Sequence, residues 1–219
     1  MVKPQSSTKR SRPAPGLARP DLETRDRILD AAHRVFTRRG TAGSRTQEIA
    51  DEAGVNKALV HYYFGTKAAL ADAIFERALA TLTPLIWGIL GDPARTLEQK
   101  IPAIVEAQID FHATRPYFAG YLVAELHAEP DRIARIMAKR GTIPMDVLKK
   151  QLREAARAGR IRPMSAEQFI ATMMGLLIFP FAMRPALCQL LQLDQKGWQA
   201  FVEERRRLLP GFVLAGLRP

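Results

Sequence analysis

From Leu22 onward, apolar residues recur at steps of three and four rather than two, and no stretch of any length alternates as a strand would. The pattern predicts an all-α chain. Its first stripe is Ile28, Leu29, Ala32, Val35 and Phe36, set against charges at Arg25, Asp26, Asp30, Arg34 and Arg38, and Gly40 ends that helix. A tighter pattern follows. Ile49, Ala53, Val55 and Val60 are apolar at intervals that let two short helices bury facing sides, and Ala50 is small where they approach most closely. Gly54 stands where the chain must turn sharply. Ser44 with Gln47 three residues on matches a capping box for the first of the pair, and Thr46 is the alternative cap. A fourth helix is expected from near Thr66 through Leu70, Ala73, Ile74, Ala78 and Leu82, bent or ended by Pro84.

Beyond it, helices are expected at about 96–114, 116–127, 130–139, 145–158, 165–183 and 195–215, with Pro102 a possible kink in the first. Gly141-Thr-Ile-Pro144 separates the third from the fourth, Gly159 caps the fourth, and Ser165 with Gln168 opens the fifth. Residues 1–21 are different. Lys3, Lys9, Arg10, Arg12 and Arg19 alternate with Pro4, Pro13, Pro15 and Pro20 without apolar periodicity, so this segment reads as a disordered basic arm. It is either a solvated tail or an added phosphate contact. The expected organisation is therefore that arm, a three-helix helix-turn-helix domain over 22–82, and a helical body over 83–219.

The polar residues of the hairpin give it a chemistry. Asn56, Lys57, His61, Tyr62 and Tyr63 furnish the second short helix with donors and aromatic hydroxyls, and Lys67 follows in the next first turn. The charge agrees: 33 basic against 22 acidic residues give +11, which points to a polyanionic partner. No uninterrupted apolar run of about 18 residues occurs, so no membrane partner is expected. The basic start is not followed by an apolar segment with a cleavage site, which implies the cytoplasm. Cys188, the single cysteine, can form no intrachain disulfide and is expected as a core or interface residue. His33, His61, His112 and His127 fall on separate helices with no nucleophile motif, phosphate loop or metal spacing, so neither an enzyme, a metal nor a cofactor is expected.

Thr24 to Ala31, Phe36, Gly40, Ile49-Ala50, Ala53-Gly-Val55, Tyr63-Phe64, Lys67 and Leu70 together resemble the DNA-binding domain of the TetR family of bacterial transcriptional regulators. The resemblance covers about 60 of the 219 residues, and beyond them it is carried only by helical character, Arg115-Pro116 and Glu125-Leu126. It implies that Thr46, Gln47 and the run from Lys57 to Tyr63 face the major groove of double-stranded DNA. Lys57 and Gln47 suit bases, Thr46, Tyr62 and Lys67 suit phosphates, and Leu59 suits a thymine methyl. Arg45 and Asn56 complete the expected set, and Tyr63 is equally a core residue. His61 departs from the family, which usually has tyrosine there. It is either a shorter substitute or a group whose protonation adds charge toward phosphate.

The same resemblance implies a homodimer on a near-palindromic operator and a small-molecule effector held in the body. Trp87, Phe111, Tyr117, Phe118, Tyr121, Met137, Met173, Met174 and Phe179 are the expected lining for a mostly apolar effector, or else plain core. Glu125, His112, His127 and Arg115 are candidate polar anchors. Phe169, Ile170, Leu176 and Leu177, with Trp198, Phe201, Val202 and Leu209, are the expected dimer contacts. The resulting expectation is a ligand-responsive repressor. The alternative is a ligand-independent DNA-binding protein acting on the nucleoid or cell division.

Overall fold

The computed structural model describes residues 19–139 and 141–219, so the expected basic arm lies outside it except for its last three residues. Those three already form the first turn of α1 (Arg19–Gly43). Ten more helices follow among the described residues: α2 (Thr46–Ala53), α3 (Lys57–Phe64), α4 (Lys67–Gly91), α5 (Leu97–Ala113), α6 (Phe118–Ala128), α7 (Pro130–Ala138), α8 (Met145–Arg157), α9 (Ala166–Ala182), α10 (Arg184–Leu190) and α11 (Gln195–Leu217). The chain is all-α, with a helix-turn-helix head followed by a helical body.

Two apolar cores hold it together. In the first, Ile28 and Phe36 of α1, Ile49 of α2, Val60 of α3 and Leu70, Ile74 and Phe75 of α4 are buried together. Phe111, Phe118, Tyr121 and Ile136 belong to the same cluster, so α5, α6 and α7 help to build the floor of the head. The second core joins the end of α4 (Ile89, Leu90) to α5, α8, α9 and α11 through Ile101, Leu148, Phe169, Leu177, Trp198 and Val202.

α4 runs through both, and the break expected at Pro84 does not occur. Proline removes the hydrogen bond to the carbonyl of Ala80, but both residues are exposed, so water can satisfy that oxygen. By length and composition α4 is also apolar enough to cross a bilayer, a possibility that counting uninterrupted runs does not reveal because Glu76 and Arg77 lie within it. Here its buried residues fill the two cores. Its far end is closed by Lys100, whose fully buried ammonium donates to the Leu90 carbonyl at 2.6 Å and to Gln151 at 2.8 Å. α10 was not expected; it leaves α9 at an angle of 71° after Met183.

Candidate nucleic-acid interface

The hairpin geometry follows from its caps. Gly54 has φ 64° and ψ 39°, and its N–H bonds to the Ala50 and Asp51 carbonyls, closing α2 in the left-handed conformation. A Cβ there would meet no atom within 4 Å, so the demand for glycine comes from the backbone angle and not from crowding. Asn56 opens α3 by accepting from the Leu59 N–H at 2.8 Å. The cap of α2 is neither Ser44 nor Thr46 but the residue between them. Arg45 is the N-cap and its N–H donates to the Glu48 carboxylate at 3.1 Å, whereas Ser44 is buried and donates to the Gly40 carbonyl at 2.6 Å.

One face of the hairpin is presented outward. Val60 is buried, while Arg45, Gln47, Asn56, Lys57, His61 and Tyr62 are exposed, and Tyr62 keeps 75% of its surface. Thr46 and Leu59 are half-buried beside them. Gln47 donates to Asp51 at 2.8 Å, so base contact requires that bond to be exchanged. Tyr63 turns inward and donates to Asp21 at 3.0 Å, tying α3 to the start of α1. Lys67 points at the corner between α1 and α2, donating to the Ala42 and Ser44 carbonyls at 2.9 and 2.8 Å, which leaves one N–H for a phosphate.

Two carboxylates of α2 are held by α1. Arg34 and Arg38 reach Glu52 at 2.7 and 2.8 Å, and Arg39 reaches Glu48 at 2.7 Å. The two arginines hold Glu52 below the usual carboxylate range. These pairs dock α2 and also neutralise acids that would otherwise repel DNA. In the sequence Arg34 and Arg38 look like a solvated stripe, because their partner lies fourteen to eighteen residues away.

Comparison with known proteins accords with this geometry. Residues 28–74, from within α1 through the first two turns of α4, match the family described as bacterial regulatory proteins, tetR family. The HTH-type transcriptional regulator BetI of Brucella abortus is 33% identical over 144 residues, covering 63% of this chain and 71% of BetI. The chain belongs to the TetR family of bacterial transcriptional regulators. Another relative, the HTH-type transcriptional repressor NicS of Pseudomonas putida, is 30% identical over 123 residues, 52% of this chain and 56% of NicS. The TetR-family fold extends through the body: PfmR from Thermus thermophilus superposes with a TM-score of 0.64 at 21% identity, over 89% of this chain and all of PfmR. As a TetR-family member the protein is a DNA-binding transcriptional regulator and not an enzyme.

Within the TetR-family body, the residues expected to line one effector cavity are dispersed. Phe111, Phe118 and Tyr121 pack with Phe36 and Phe75 beneath the head, where Tyr121 stacks on Phe75 at 5.0 Å. Met173 is in the second core, Trp87 and Met137 are half-buried, and Tyr117, Met174 and Phe179 are exposed. The expected dimer residues divide similarly. Phe169, Leu177, Trp198, Val202 and Leu209 are buried within the chain and Ile170, Leu176 and Phe201 are half-buried, while Leu208 and Phe212 of α11 stand 61% and 67% exposed. Cys188 is half-buried against the second core.

The polar anchors are more informative. Glu125 is buried and pairs with Arg132, itself 1% exposed, which also reaches Asp72 of α4 at 3.0 Å and Glu129 at 2.9 Å. Glu125 accepts the Thr41 N–H at 3.2 Å, and the Thr41 hydroxyl meets the Tyr121 hydroxyl at 2.8 Å. This cluster joins α6 and α7 to the kink of α1, where Gly40 has φ 69°, and to α4. Burial pushes the Tyr121 phenol up. His112 is 2% exposed and neither ring nitrogen has a partner among the described residues, while His127 is on the surface.

Proposed function

We propose that this regulator is a homodimeric repressor that binds a near-palindromic operator through α2 and α3 and is released by a small, mostly apolar effector. The observation that carries the reading is the split of α3: Val60 is buried while Lys57, His61 and Tyr62 face outward as one donor-rich surface. Lys57 and Gln47 are assigned to bases, Arg45, Thr46, Asn56, His61 and Tyr62 to the backbone or adjacent edges, and Leu59 to a thymine methyl. Lys67 and Tyr63 chiefly hold the reading surface in place. One hairpin reads few bases, so two are needed at half-sites about one helical turn, or a multiple of it, apart.

Self-association is supported by the outer face of α9 and α11. Met174, Leu208 and Phe212 are each more than half exposed, and Leu176 and Phe201 flank a groove of about 420 Å³ between them. A light-scattering mass near 24.5 kDa at working concentration contradicts the dimer. Release is assigned to α4, which carries Asp72 beside the Arg132 cluster and Lys67 beneath the hairpin. An effector that favours a displaced α4 moves the two heads out of register, and only differential affinity for the two states can do so. The domain division at about residue 82 falls inside this shared helix, and the protein is assigned to the cytoplasm.

Selection of bound sequences from a random duplex pool tests the DNA reading. An inverted repeat with a fixed half-site spacing is expected, and a pool without enrichment contradicts it. A compound that lowers operator affinity is expected from a metabolite screen, and if none does, the effector part falls while DNA binding stands.

A further inference from the structure

A cleft of about 600 Å³ lies between the head and the body, walled by α1, α4 and the corner that joins α5 to α6. Its volume is that of a small-molecule site. Two lining side chains, His33 and Thr37, lie one turn apart on α1. His33 Nε2 and Thr37 Oγ1 are both closed to solvent and have no hydrogen-bond partner among the described residues. Buried polar atoms in folded proteins are nearly always paired, so two orphans in one cleft point to a partner that supplies both. Burial, reinforced by Arg77, lowers the His33 pKa, so this ring meets a ligand as a neutral hydrogen-bonding group.

The charge of the cleft is unbalanced. Arg34, Arg77 and Arg115 face it against the single carboxylate of Asp30. Arg34 is already paired with Glu52, and Arg77 with Asp30 at 2.6 Å. Arg115 has no carboxylate partner among the described residues. Its guanidinium is fixed 4.6 Å over the Phe111 ring by cation–π contact, and Nη1 donates to the Thr114 hydroxyl at 2.9 Å and to the Phe111 carbonyl at 3.5 Å. Its remaining N–H groups are available to a planar anion. Ile74, Ala78 and Phe118 add an apolar lining to the cleft.

We infer that this cleft binds a small organic monocarboxylate, its carboxylate on Arg115 with hydrogen bonds to His33 and Thr37 and its alkyl or aryl group against Phe118 and Ile74. One unpaired cation matches one carboxylate, and the apolar wall distinguishes such a ligand from a bare inorganic anion. The cleft takes in Phe118 and Arg115, two of the residues expected to hold an effector, so this ligand class rests on and sharpens that reading, while its binding requires neither a dimer nor an operator.

Titration of the full-length protein with 4-fluorobenzoate and hexanoate, followed by ligand fluorine or proton NMR and by the His33 imidazole resonances, tests the inference. Saturable binding that shifts the His33 signals is expected, with 4-fluorobenzamide, hexan-1-ol and inorganic phosphate each at least about tenfold weaker. Arg115→Gln should weaken the carboxylates by about tenfold or more, and Arg115→Lys, which keeps the charge but loses the planar fork, should fall between. The inference is overturned if neither carboxylate binds, if the amide or phosphate binds equally well, or if Arg115→Gln leaves the affinity unchanged.

Discussion

Replacing His112 with phenylalanine should flatten the acid side of the stability curve. The imidazole is buried between Phe181, stacked at 4.9 Å, and the edge of Phe111 at 5.2 Å, with neither nitrogen bonded among the described residues. Burial, assisted by Arg115, pushes its pKa down from 6.5 to about 4. Arg184 and Glu203 line the adjoining groove with it and leave that net direction unchanged. The unfolded chain therefore takes up a proton on this ring before the folded chain does. Its contribution is fully present above pH 6.5 and is lost as pH falls from 6.5 to about 4. At one pKa unit per 1.36 kcal/mol, the full loss is on the order of 3 kcal/mol. Phenylalanine keeps the aromatic packing, cannot be protonated and removes two unpartnered nitrogens, so near neutral pH the variant should match or exceed the parent. Urea unfolding of both proteins at several pH values and one fixed protein concentration measures the slope. His33, whose pKa is also lowered, leaves a smaller residual slope in the variant. Equal slopes for parent and variant would mean that His112 is not held neutral by burial and has a partner in the folded protein.

Gly54→Ala should cost roughly 1–2 kcal/mol through its backbone angle alone, seen as a lowered thermal midpoint. Arg132→Met should cost about 3–5 kcal/mol by leaving the Glu125 carboxylate buried without its cation, and adding Glu125→Leu should recover much of it in a double-mutant cycle. Lys67→Met should increase hydrogen exchange at the α1–α2 corner even without DNA, because two carbonyls lose their donor, whereas a purely phosphate-directed lysine would leave that exchange unchanged.

The hairpin was legible because its determinants are local. A left-handed glycine, a side-chain cap three residues before its donor and a few apolar spacings fix α2 and α3 with little help from elsewhere. The helices of the body were likewise legible to within about two residues from periodicity and caps. α10 was missed because seven residues carry barely two turns of periodicity, although Pro185 in its first turn was a usable start signal. Pro84 misled because the exposed Ala80 carbonyl can turn to water while the residues on either side are held in the two cores, so packing carries the helix through. The aromatic and methionine residues of the body were the least legible. Periodicity identifies an apolar face, but whether Phe118 meets Phe75 or an effector depends on how α6 packs, which no local signal records. The Arg132 cluster was invisible for the same reason, since Thr41, Asp72 and Glu125 come together only through the tertiary fold.

On this reading the outward face of α3 contacts the DNA bases. Genome-wide mapping of the sites bound by the intact protein, beside a Lys57→Ala/Tyr62→Ala variant of equal thermal stability, tests it most directly. A small number of discrete, near-palindromic sites is expected for the parent, and their loss in the variant. Undiminished occupancy in the variant, or diffuse coverage without a shared sequence in the parent, would contradict it.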